Sequence, residues 1–187
     1  MKRKILIVAT ILLAVAVCII GYTRATSRES STRAQQREQR HIEREKRRAE
    51  RQAAYERYID SLVLARNFQF SPQSMQQQPA GQLRMLNNPN FELSIWGSEV
   101  DIFMPYIKGV TPPYYTVMLN YTMPSVSNYV TEQTQEGWLV TFASSLFSGS
   151  DYKFSLEIYT SSGSATLTIV SPWYPDVQYV GGISALN

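Results

Sequence analysis

Two aromatic clusters are the residues of this sequence best suited to holding a ligand. Pro112-Pro113-Tyr114-Tyr115 and Pro172-Trp173-Tyr174-Pro175 both fall where a regular two-residue alternation breaks. Aromatic rings on loops at one end of a β domain can hold a sugar or an apolar ligand, because each joins a large apolar face to a polar edge. The competing reading is that the same rings plug an open end of the domain as core. Tyr114, Tyr115, Trp173 and Tyr174 are the candidate ligand-binding residues.

Catalytic chemistry has little to work with. Glu99 and Asp101 are two apart, so on a strand they share a face. Paired carboxylates can hydrolyse glycosidic bonds, but the plainer reading is the solvated end of a hairpin. Lys108, beside Gly109, suggests no chemistry of its own. From Asn67 to Asn187 there is no His and no Cys, which removes metal sites built on those ligands. It also removes Cys–His and Ser–His–Asp nucleophiles. Gly181-Gly182 is only a pair and not a phosphate-cradling loop. The expectation is a non-enzymatic binding or structural domain with no catalytic residues, metal or cofactor. A carboxylate-based hydrolase acting on envelope or extracellular glycan is the alternative.

The elements that would position these residues follow from the period. From Asn67 onward apolar residues alternate with polar ones, as in half-buried strands. Strands are expected at Asn67–Phe70, Phe91–Ile95, Val100–Met104, Tyr115–Thr122, Val126–Thr131, Trp138–Phe142, Tyr152–Ile158, Ser164–Ser171 and Val177–Gly181. Trp96-Gly97-Ser98-Glu99 and Ser161-Ser162-Gly163 are turns. Ser71–Asn90, Gln-rich and with two Pro, reads as a long loop with one weak strand around Gln82–Leu86. The spacing predicts an antiparallel meander of eight or nine strands, in a β-sandwich or curled barrel. With Cys18 as the sole cysteine no intrachain disulfide is possible, so burial must hold the fold together.

Charge divides the chain. Residues 1–66 carry 15 basic and 7 acidic residues, net +8, whereas residues 67–187 carry 3 and 8, net −5. The overall +3 therefore describes no folded unit, and the acidic β segment argues against nucleic acid as a partner. Ser27–Arg66 lacks Pro and Gly and is dense in helix formers. Its charges recur three and four apart, as in Glu43 with Arg47. Up to Arg48 this helix is a solvated spacer. Beyond it, Ala54, Tyr58, Leu62 and Ala65 form an apolar stripe flanked by Tyr55, Ile59 and Val63, expected to dock on the domain. A basic arm binding anionic lipid is the functional alternative.

Met1-Lys2-Arg3-Lys4 precedes an uncharged, apolar run from Ile5 to Ile20, followed by Gly21-Tyr22-Thr23-Arg24-Ala25. That is the order of an export signal. Three outcomes compete: cleavage after Ala25, retention of residues 5–20 as a marginal membrane span, or lipidation at Cys18 behind a bulky Val17. The expected organisation is a signal or anchor over 1–25, a charged helix over 26–66 and a β domain over 67–187. The expected location is the periplasm or cell envelope. The partner is an unknown ligand or envelope component, with membrane contact through residues 5–20 where they are retained.

Several short runs, in order, resemble a known family: Ala65-Arg66-Asn67-Phe68, Asn90-Phe91, Val100-Asp101-Ile102, Ser127-Asn128-Tyr129, Ala165 to Pro172, and Tyr179-Val180-Gly181. Over roughly residues 45–187 the chain resembles the domain of unknown function 4251 family, small exported proteins of Gram-negative bacteria. The resemblance implies a β fold and export, and no activity. The chain departs from the family at Val110–Tyr115, where a Gly-rich stretch is usual, so a loop-borne site does not carry over there.

Overall fold

The computed structural model describes residues 35–109, 115–147 and 150–186; for 145–147, 150 and 151 only the backbone is described. The leader, Cys18 and the proposed cleavage site after Ala25 lie outside the described residues, as does Tyr114. Among the described residues no helix is long and apolar enough to cross a membrane.

Residues 35–65 are helical (α1). The chain divides into two compact units at Arg51/Gln52. In the first, the described helical residues are exposed throughout, and pairs one turn apart decorate the surface, with Arg47 Nη2 on Glu43 and His41 Nδ1 on Glu45. The second unit contains the rest of α1 and ten strands: β1 (Asn67–Gln77), β2 (Arg84–Met85), β3 (Glu92–Trp96), β4 (Glu99–Lys108), β5 (Tyr115–Met123), β6 (Ser127–Gln133), β7 (Gly137–Phe147), β8 (Ser150–Tyr159), β9 (Ser164–Val170) and β10 (Val177–Ser184).

All ladders are antiparallel, and one sheet runs β5-β4-β3-β1-β10-β9-β8-β7-β6, with β2 attached to β1. Consecutive strands pair except β2 with β3 and β5 with β6, and β10 returns to pair with β1. The sheet therefore curls into a half-barrel, one of the two architectures the alternation allows. Inward residues of every long strand fill it: Phe68 and Phe70, Ile102 and Met104, Phe142, Phe154 and Leu156, Leu167 and Ile169. Burying each such side chain stabilises the fold by roughly 1.5–3 kcal/mol.

Three differences from the sequence reading have physical causes. β1 continues to Gln77 through what reads as loop, because Pro72 sits at a register shift in the β1–β10 ladder, where its missing N–H costs no regular bond. β4 likewise continues past Met104. Pro105 lies beyond the last β3 rung at Phe103, so only one ladder has to tolerate it.

The third concerns the docking stripe of α1. Ile59, Leu62 and Val63 are buried, while Ala54 and Ala65 are exposed and Tyr58 is half out. The helix is turned by polar anchors. Trp138 Nε1 donates to Asp60 Oδ1 at 2.7 Å, and Gln52 and Tyr55 donate to the carbonyls of Ser161 and Ser162. Gly163 permits this approach: at φ 68°, a Cβ there would run into the Tyr55 hydroxyl. Arg66 ends the helix at φ 51°, its carbonyl accepts from Gly97 N at 2.8 Å, and its guanidinium lies 4.1 Å above the Tyr129 ring.

Candidate ligand-binding rim

The end of the half-barrel away from these anchors gathers the termini of β1 and β4 and the starts of β5 and β10. Lys108 closes β4 and Tyr115 opens β5, and the two are cross-strand partners. Tyr174, from the β9–β10 connection, presents its ring 5.3 Å from Lys108 Nζ. Trp173, beside it, is 68% exposed and Tyr115 is 66% exposed. A turn fixes the Trp173 backbone, whose N–H donates to the buried Ser171 hydroxyl at 3.2 Å. Three of the four sequence candidates thus sit on described backbone: Tyr115, Trp173 and Tyr174. Tyr115 and Trp173 are solvent-facing rather than plugging the core, and Tyr174 is half-buried against Lys108.

Beneath the rim lies a layer of tyrosines. Tyr106, two residues before Lys108 and hence on the inward face of β4, is fully buried and packs edge-on against Tyr152, centroids 6.2 Å apart. Among the described residues its hydroxyl has no hydrogen-bond partner of ordinary geometry, Ser171 being the nearest candidate. Burial above all, then Tyr152, pushes this hydroxyl well above the ordinary tyrosine value; Ser171 opposes the shift, and Asp176 and Tyr174 add to it. Tyr179 is raised in the same direction by burial and by Tyr106, and it donates to Pro105 O at 2.8 Å. Both hydroxyls therefore keep their protons across neutral pH. Neither can act as a base there.

Sequence reasoning missed the side chains that tie this end together. Gln77, nearly buried, donates to Gly109 O at 2.8 Å and so fixes the exit of β4. Gln78 donates through its backbone to Asp176 O at 2.7 Å and through its side chain to Gln178 at 3.0 Å, fixing the entry to β10. A glutamine in a Gln-rich run carries no signal of such a role; only the fold supplies the partners.

The carboxylate pair lies elsewhere. Glu99 and Asp101 alternate with buried Val100 and Ile102, so they point outward, and Asp101 stands exposed between Ser94 and Thr122. Among the described residues no three His, Cys, Asp or Glu side chains gather as metal ligands. A separate cleft of about 400 Å³ lies at the β5/β6 seam, lined by Thr122–Ser125, Ser127, Ala143 and Ser144.

The chain can now be set beside known proteins. Among curated proteins none is similar to it. A crystal structure of a DUF4251 family protein from Bacteroides eggerthii shares the fold, with a TM-score of 0.54 at 16% identity, over 72% of this chain and 91% of that one. The family model described as Domain of unknown function (DUF4251) matches residues 50–183, from the docked part of α1 to the end of the sheet. By that match, over more than half its length, the chain belongs to the DUF4251 family.

Proposed function

We propose that this is an exported cell-envelope protein whose β domain is a non-enzymatic binding module, with the Tyr115–Trp173–Tyr174–Lys108 rim as its ligand surface. The observation that carries the reading is the exposure of Trp173 and Tyr115 on either side of the Lys108–Tyr174 contact. Large aromatics left in water on a positioned loop pay for themselves only when something covers them. Rings flanked by the Lys108 cation suit a sugar, whose apolar face stacks while its hydroxyls accept hydrogen bonds. The hydrolase alternative would rest on Glu99 and Asp101, whose outward, solvated placement offers no cleft for a substrate.

The basic start and apolar run of residues 2–20 support export. A mature N-terminus at Thr26 in the soluble envelope fraction, read by mass spectrometry, is the outcome expected of cleavage; an intact Met1 in the membrane fraction points to an anchor.

The binding reading is tested by screening the full chain against immobilised envelope glycans, with phospholipid vesicles as comparison. Saturable glycan binding that Trp173→Ala abolishes is expected. Binding that survives Trp173→Ala, or that is confined to vesicles, removes the glycan rim.

A further inference from the structure

We propose that the free edge of β5 pairs antiparallel with β5 of a second copy of this chain, joining two half-barrels through one continuous sheet about a two-fold axis. Among the described residues β5 is a terminal strand of the sheet. Its nine residues include no charge, Pro or Gly, and its ladder to β4 runs without a register shift from Val100↔Met123 to Lys108↔Tyr115. Those are the devices that normally block edge-to-edge pairing, and β5 has none of them. The opposite edge is guarded. β6 carries a register shift between Ser127 and Val130, Asn128 at φ 54°, and Glu132.

Charge identifies the occupant as a second copy. Two of the three cations in residues 67–187 sit at the Tyr115 end of β5: Lys108 is the cross-strand partner of Tyr115, and Arg84 Nη1 donates to Thr116 Oγ1 at 3.2 Å. Glu99 and Asp101 sit at the Met123 end, with Asp101 paired to Thr122. The edge is therefore complementary to itself when reversed. An axis at Leu119 sets Thr122 across from Thr116 of the second copy and brings each Asp101 toward the other copy's Arg84. Met118, 44% exposed, is two residues from Thr116 on the same outward face, close to the axis.

The test is sedimentation of the full chain in a mild detergent, which keeps its apolar segment soluble. Two protein copies per particle are expected for the wild type and one for Met118→Lys, with an unchanged far-UV circular dichroism spectrum. Asp101→Arg should weaken association roughly tenfold, through two symmetric like-charge contacts. Adding Arg84→Asp should restore it. As a check independent of folding losses, Thr116→Cys/Thr122→Cys in a Cys18→Ser background should give a disulfide-linked dimer on oxidation. A single-copy wild type, a Met118→Lys particle that keeps two copies, a charge swap that fails to rescue, or no cross-link each overturns the proposal.

Discussion

The two ends of the half-barrel differ in how firmly their side chains are tied to distant parts of the chain. At the helix end the chain closes on itself. Ile59, Leu62 and Val63 enter the core, Trp138 finds Asp60, and the carbonyls of Ser161 and Ser162 are met by Tyr55 and Gln52. At the rim Trp173 and Tyr115 stay in water above the buried Tyr106 hydroxyl, while at the helix end Trp96 is 73% exposed and the buried Tyr129 hydroxyl lies beneath Arg66; among the described residues neither hydroxyl has a hydrogen-bond partner of ordinary geometry. What separates the ends is the set of long-range bonds that pins the helix to the sheet, against a rim whose rings and Lys108 meet on the strand ends and the β9–β10 connection.

That contrast can be broken by substitution, and the largest effect belongs to the closed end. Ile59→Ala should cost about 2–4 kcal/mol in urea unfolding, because it removes a fully buried side chain between helix and sheet. Asp60→Ala leaves the Trp138 indole N–H without its acceptor and should cost about 1–3 kcal/mol.

The tyrosine layer sharpens the comparison. Tyr179→Phe gives up the bond to Pro105 and should cost about 1 kcal/mol, whereas Tyr106→Phe gives up at most a poorly aligned contact with Ser171 and should cost less. Both hydroxyls have folded-state pKa values above the unfolded value near 10. Their contribution to stability is therefore complete below pH 10 and is lost as pH rises toward the folded pKa. Stability should be indifferent to these groups at neutral pH and fall in alkali, and Tyr106→Phe should soften that fall. Urea unfolding between pH 8 and 11 reads the difference.

Much of this contrast is legible in the sequence. The alternation in Tyr115–Thr122, Tyr152–Ile158 and Ser164–Ser171 gives β5, β8 and β9 with their faces, because period-two patterning survives any tertiary arrangement. The rim aromatics stand out for the opposite reason, as breaks in that pattern. What stays hidden depends on partners distant in sequence. The second half of β1 exists because β10 and β2 pair with it across the Pro72 irregularity. The docking face of α1 is set by Trp138 and by the room at Gly163. Gln77 and Gln78 gain their roles only from Gly109 and Asp176.

The most direct test compares the two ends by heat. Thermal unfolding of the full chain should leave Trp173→Ala within about 2 °C of wild type, since an exposed surface residue contributes little, while Asp60→Ala melts about 5 °C lower. A Trp173→Ala chain that falls as far as Asp60→Ala would mean that the rim rings plug the barrel, contradicting an open binding end.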